Sequence, residues 1–234
     1  MLKAEGISYN NRTRPVLLDI GFSVEKGSIL AVLGISGAGK TTLLRILAGL
    51  VRPEAGEVWQ DGKVVNGPDK WVAPHARKVA MIFQSLALWP YMTVRQHLAF
   101  VMGNGGGKKS EKMEKIDAIL LELGLPKDRG RYPETLSGGE KQRLAMARAI
   151  AQDPAYLLMD EPFSQTDDVL KKDLLDLVRR FKSRAGIIYV THNIAEAMAV
   201  ADEILVLSHG TVAKAWKKDE IKCISRDDIL RFLR

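Results

Sequence analysis

Ile29-Leu30-Ala31-Val32-Leu33-Gly34-Ile35-Ser36-Gly37-Ala38-Gly39-Lys40-Thr41-Thr42 is the stretch from which the fold is read. Its first five residues are apolar and uncharged, which predicts a buried strand. Three glycines interrupt the run, and Leu43, Leu47 and Leu50 then follow at helical spacing. The junction matches G-x-x-x-x-G-K-[ST] in the context that pattern requires: strand, glycine loop, helix. Small residues let backbone N–H groups wrap phosphate oxygens with no Cβ in the way. Gly34, Ile35, Ser36, Gly37, Ala38, Gly39, Lys40, Thr41 and Thr42 are therefore the candidate phosphate cradle of a nucleotide. Lys40 adds a point charge, the Thr41 hydroxyl suits Mg²⁺, and the helix N-terminus favours an anion.

Working outward, three more short apolar runs, Val79–Phe83, Tyr156–Met159 and Ile187–Val190, have the composition of parallel strands covered on both faces. Helical stretches lie between them: Thr41–Leu50, Ser110–Leu123 and Gly139–Gln152. Alternating strands and helices predict an α/β fold. Near the N-terminus the pattern differs. Leu2–Tyr9 and Gly21–Val24 read as β segments separated by the polar, proline-marked Asn10–Pro15. Val58–Val65 reads as a hairpin turning at Asp61-Gly62. Asn104-Gly105-Gly106-Gly107 reads as a flexible loop. The Tyr156–Met159 strand runs into Asp160-Glu161-Pro162, two adjacent carboxylates at a strand end. After a phosphate cradle, Asp160 is a candidate Mg²⁺ ligand and Glu161 a candidate base for water.

Composition narrows the class. The 234 residues are 46% hydrophobic and 27% charged, ordinary for a globular chain and against disorder. The longest stretch without Asp, Glu, Lys or Arg is Val79 to Val94, interrupted by Pro90, where a spanning helix needs about 20 apolar residues. One cysteine, Cys223, makes no internal disulfide and favours a reducing compartment. No apolar segment of the secretory kind follows Lys3. The expected location is cytoplasmic. The net charge of +7 suits nucleic acid, anionic lipid, a phosphate ligand or simply a soluble basic surface.

Leu136-Ser137-Gly138-Gly139-Glu140, followed by Lys141-Gln142-Arg143, decides among these. Locally, Ser137 and Glu140 have the spacing of a capping box opening a helix. The segment also resembles the signature of the ABC ATPases, just upstream of the Asp160-Glu161 strand. With it, further motifs of that family fall in register. Tyr9 resembles the aromatic that stacks on adenine, and Gln84 resembles the glutamine that reaches Mg²⁺ and water. Asp167 matches the D-loop aspartate. His192 looks like the switch histidine that contacts the γ-phosphate. Four positions depart from the pattern: Glu140 where Gln is usual, Gln165 and Thr166 for Ala-Leu, and Asn193 for Asp. Asn193 remains a good N-cap, with Glu196 at box-like spacing.

The resemblance implies a P-loop NTPase core, a mainly parallel sheet with flanking helices, in one ABC ATPase domain over residues 1–234. It adds an antiparallel β subdomain and a helical signature subdomain at about 85–155, and no additional C-terminal regulatory domain is expected. ATP and Mg²⁺ are the expected ligands, with Thr41, Gln84 and Asp160 toward the metal and Glu161, His192 and Gln84 in catalysis. Ser137, Gly138, Gly139 and Glu140 are expected to serve ATP held by a second cassette, the pair being expected to form a homodimer. Ser85–Val94 resembles the same stretch in bacterial importers of sugars, polyamines and inorganic ions, so exposed Trp89, Tyr91 and Met92 are expected to meet a permease subunit. An extracytoplasmic substrate-binding protein is a further expected partner, and the chain itself is expected to be peripheral on the inner face of the cell membrane. Exporter or lipoprotein-release subunits share the cassette, as do soluble ABC ATPases of ribosome or DNA, and both stay open as alternatives. Lys40 is the one cation among the site residues, so the charge excess is expected elsewhere and nucleic acid is not expected. The basic, amphipathic tail Lys214–Arg234 is expected to pack on the cassette first.

Overall fold

A computed structural model describes residues 1–11, 14–103, 109–125, 130–164 and 166–233. The first half runs β1 (Leu2–Asn11), β2 (Arg14–Val24), β3 (Ile29–Leu33), α1 (Lys40–Ala48), β4 (Ala55–Gln60), β5 (Lys63–Asn66) and β6 (Val79–Ile82). Three helices follow, α2 (Val94–Val101), α3 (Lys109–Glu122) and α4 (Gly138–Ile150), and then β7 (Tyr156–Asp160), α5 (Asp168–Phe181) and β8 (Gly186–Thr191). The chain continues through α6 (Ile194–Val200), β9 (Glu203–Ser208), β10 (Thr211–Trp216), α7 (Lys218–Ile221) and α8 (Arg226–Leu230).

Two sheets result: a four-stranded antiparallel one, β2-β1-β4-β5, and a six-stranded one, β10-β9-β3-β8-β7-β6. In the larger sheet only β10 runs antiparallel to its neighbour. The parallel register sets Leu33 beside Thr191, Asp160 beside Val190 and Ile82 beside Met159. Gly34, Gln84, Glu161 and His192 therefore all leave the sheet along one carboxyl edge, where open α/β sheets bind ligands.

β3, β7 and β8 are buried along their whole length, as their uncharged sequences predict. Side-chain alternation divides β3 between two cores. Leu30 and Val32 pack with α1 and the antiparallel sheet, whereas Ala31 and Leu33 pack with Ile194, Ala197, Trp216 and Ile229. The α2–α4 helices join through Leu98, Ile116, Leu144 and Leu157. Truncating any of these buried leucines to Ala costs about 2–5 kcal/mol.

Several elements differ from their sequence reading. Asn10–Pro15 is no break: Asn10 pairs with Pro15 and Asn11 with Arg14, so β2 begins well before Gly21. β2 is an edge strand, where a proline without an N–H costs no ladder bond. The Asp61-Gly62 turn forms as read, with both residues at positive φ (48° and 80°). Asn104-Gly105-Gly106-Gly107 lies outside the described residues. The tail packs: Ile229 and Leu233 are buried, and Phe232 meets Trp216 edge-on at 5.6 Å.

After Gln84 the chain makes an unusual turn. Leu86 and Ala87 are both left-handed (φ 59° and 44°), and Arg148 of α4 donates to both of their carbonyls. The same guanidinium lies 4.9 Å from the Trp89 ring. The Trp89 backbone N–H donates to buried His97 Nε2 at 3.0 Å, and the indole ring meets Phe100 edge-on. Trp89 and Met92 are thus half-buried, and of the three residues expected at the surface only Tyr91 is fully exposed, at 91%.

Candidate functional site

The cradle forms where β3 turns into α1. A Cβ on Gly34 would lie 2.6 Å from the Leu207 carbonyl oxygen, and one on Gly39 (φ +100°) would lie 2.7 Å from Leu17 Cδ2. The loop thus packs against the body while its outer surface, through Ile35, Ser36 and Gly37, stays exposed. Lys40 is 6% exposed, and its Nζ donates back to the Gly34 and Ile35 carbonyls at 2.7 and 3.0 Å.

Beneath it, the Thr41 hydroxyl donates to Asp160 Oδ1 at 3.1 Å. Burial pushes the Asp160 carboxyl above the usual carboxylate range, against the Thr41 bond and the nearby Arg45 and Lys40 charges. A buried, under-compensated carboxylate joined to a hydroxyl is an oxygen-donor set that fits a hard divalent cation. No cluster of three or more His, Cys, Asp or Glu among the described residues suits a metal, so such a cation needs phosphate oxygens as well.

Glu161 stands at the centre. Its backbone is left-handed (φ 44°), with its N–H held by the Val190 carbonyl at 3.0 Å. Its two carboxylate oxygens reach in opposite directions: Oε1 lies 3.4 Å from Lys40 Nζ and Oε2 3.0 Å from His192 Nδ1. These residues share a cleft of about 1480 Å³ with Tyr9, Ile35, Ser36, Gly37, Gly39, Thr41, Thr42 and Gln84. Gly34, Ala38 and Asp160 are buried behind the lining.

Ser137, Gly138, Gly139, Glu140 and Asp167 do not line this cleft. The capping box at α4 forms as read: Glu140 N–H donates to Ser137 Oγ at 3.3 Å, and Ser137 N–H to Glu140 Oε2 at 2.8 Å. Gly138 is exposed, with nothing within 4 Å of a Cβ built on it. Asp167 caps α5 through the Leu170 N–H at 3.0 Å, and Thr166 accepts a bond from Gln142 of α4. Gln165 lies outside the described residues. Asn193 caps α6 through the Ala195 and Glu196 N–H groups at 2.9 and 3.2 Å. The Glu196 side chain does not close a box. It turns inward, meets Lys171 at 3.1 Å and accepts from the Tyr189 and Thr191 hydroxyls, both at 2.9 Å.

Sequence reasoning missed three cations of the cleft. Arg14, Arg45 and Arg226 line it together with Lys40, so part of the basic excess faces the ligand after all. Arg45 was legible in principle, because it lies one helical turn beyond Thr41 on the same face of α1. Arg14 and Arg226 arrive through the β1–β2 hairpin and the tail, which no local motif marks.

With this geometry in view, comparisons identify what the chain resembles. The ABC transporter family model matches residues 17–164. The Fe(3+) ions import ATP-binding protein FbpC of Haemophilus influenzae (strain 86-028NP) is 39% identical over 201 residues, 84% of this chain and 57% of that protein. The spermidine/putrescine import ATP-binding protein PotA of Chromobacterium violaceum is 41% identical over 196 residues, 83% of this chain and 53% of its own. The chain thus spans about half the length of the curated relatives it matches. A bacterial ABC transporter cassette solved as a dimer superposes with a TM-score of 0.81 at 25% identity, over 93% of this chain and 99% of that one.

Proposed function

The chain belongs to the ABC transporter family, and from that premise we propose that it is the subunit that binds and hydrolyses ATP to drive solute import. The observation that carries the chemistry is Glu161 suspended between Lys40 and His192 at the mouth of the phosphate cradle. Tyr9 stacks the base, Gly34–Thr42 hold the phosphates, and Arg14, Arg45 and Arg226 make the cleft attractive to a polyanion.

Thr41, Asp160 and Gln84 would hold Mg²⁺, which neutralises developing charge on the phosphates when bound. Lys40 trades the Gly34 and Ile35 carbonyls for phosphate oxygens, and its ion pair with Glu161 loosens. Glu161 then takes the proton of the attacking water. His192, engaged through Nδ1, keeps Nε2 for the terminal phosphate and holds the carboxylate in place.

Ser137, Gly138, Gly139 and Glu140 lie outside the cleft of their own chain; in this reading they serve the nucleotide of a second copy, with Asp167 at the same junction. A site completed across two chains makes ATP binding drive closure, and hydrolysis reverses it. The curated relatives are import ATP-binding proteins, which supports permease subunits as the driven partners. No described helix is long and apolar enough to cross a membrane. It is the proposed import role that puts the subunit peripherally on the cytoplasmic face, with a substrate-binding protein on the far side.

Co-purification from native membranes tests this reading. Membrane-spanning subunits should accompany the chain and, in vesicles, should accumulate solute only when MgATP is supplied on the chain's side. Recovery with soluble partners alone overturns import.

A further inference from the structure

Glu140 remains unexplained by the proposed reaction: it sets a carboxylate where the triphosphate of a second copy would dock. Its two oxygens have separate employments. Oε2 accepts the Ser137 N–H at 2.8 Å, and Oε1 lies 3.2 Å from Arg131 Nη1. Both side chains are about two-thirds covered, at 31% and 27% exposure. A neutral Gln would close the same capping box through its carbonyl oxygen. Arg131 is thus surplus to the box, and what it answers is the charge.

Arg131 is also held in place from both sides. Its second nitrogen donates to the Thr135 carbonyl, and its own carbonyl accepts the Val94 N–H at 2.9 Å, fixing the strand of chain that enters α4 to the start of α2. The Ser137 N–H and the Arg131 charge hold the Glu140 carboxyl below its ordinary range, so it is ionised at neutral pH. The helix N-terminus favours that charge without neutralising it, so the carboxylate still repels an approaching triphosphate.

We propose that Arg131 is a positioning residue for ATP-driven closure: it pairs with Glu140 into a neutral unit that lets the α4 N-terminus approach the triphosphate held by a second copy. The inference rests on the two-chain nucleotide site proposed above. It assigns the Glu140 departure a compensation nine residues upstream.

The test is a rescue experiment on the full chain carrying Glu161→Gln, which keeps ATP bound. ATP-driven dimerisation is followed by light scattering for that parent, with Arg131→Gln added, with Glu140→Gln added, and with both. MgATP affinity of the monomer is the folding control. Arg131→Gln should weaken dimerisation about tenfold at low salt, the effect of baring one charge near another in a high-dielectric interface. The deficit should shrink in 1 M salt, where the screening length falls to about 3 Å. Adding Glu140→Gln should restore dimerisation to within about twofold of the parent. If the double variant stays as weak as Arg131→Gln, the arginine only braces the Thr135 loop and the inference falls. If Arg131→Gln dimerises like the parent, it falls as well. If the parent binds MgATP yet does not dimerise, the two-chain site itself fails and takes the inference with it.

Discussion

The N-termini of α1 and α4 are both aimed at phosphate in the proposed reading, and they are built in opposite ways. α1 begins after Gly39, which has no side chain to cap it, and its first turn carries no acidic residue. Its leading residue, Lys40, is buried. α4 begins with a reciprocal capping box and a carboxylate in its first turn, exposed at Ser137 and Gly138. A helix start leaves up to four N–H groups without partners. At α1 no side chain caps them, which suits an anion; at α4 the Ser137 hydroxyl takes the Glu140 N–H and the Glu140 carboxylate answers with the Ser137 N–H. In the proposed reading the first terminus serves the ligand of its own chain, whereas the second, partly finished as protein surface, meets a ligand when a second copy arrives.

The largest effect expected falls on the α1 side. Glu161→Gln should retain MgATP binding and lose about 10²–10⁴ in turnover, the usual worth of a general base. Single-turnover hydrolysis at wild-type rate would remove Glu161 from that role and leave the α1 terminus a binding site without chemistry. Gly39→Ala comes next. Its φ of +100° and the 2.7 Å approach to Leu17 Cδ2 make any Cβ a strain of about 1–3 kcal/mol, read as a lower urea midpoint and lost nucleotide affinity.

Ser137→Ala probes the other terminus. Loss of the cap should cost about 1 kcal/mol of stability while monomer MgATP affinity holds and ATP-driven dimerisation falls. A loss of monomer affinity would break the contrast between the two helix starts. The smallest effect lies away from both. The Tyr156 hydroxyl and, less strongly, the N-terminal ammonium and Lys26 hold Asp61 at a pKa of about 2, below its ordinary 3.8. A carboxyl whose folded pKa is depressed contributes stability above its unfolded pKa and loses it as pH falls through the folded value. The stability gap between wild type and Asp61→Asn should therefore be flat at neutral pH and close between about pH 4 and pH 2. Asp61 is 41% exposed, so solvent screening keeps that gap to about 1 kcal/mol or less.

Local patterns were the legible part of this molecule. Ile29–Leu33 is a strand with the bounds its composition predicts, and Asp61-Gly62 turns where two positive φ angles are needed. The capping box at Ser137 and the strand-end position of Asp160 were readable for the same reason: partners three residues apart, or a change of polarity along one strand. Ile204–Leu207 carries a comparable apolar signal, followed by His209-Gly210 at positive φ, but no motif drew attention to the β9–β10 hairpin. What stayed hidden depends on distant partners. Arg131 meets Glu140 only because the entry to α4 folds back, and Arg226 reaches the cleft only because α8 packs beside α6. The left-handed turn at Leu86-Ala87 has no glycine to announce it. It persists because Arg148, 61 and 62 residues later in the chain, binds both carbonyls.

That guanidinium has a mechanical consequence. It fastens the far half of α4 to the Leu86–Trp89 turn by two hydrogen bonds and a stacked ring, while the near end of α4 starts at Ser137. One rigid element, 13 residues long, thus has the exposed Ser137-Gly138 start at one end and, through Arg148, the turn that precedes the fully exposed Tyr91 ring at the other.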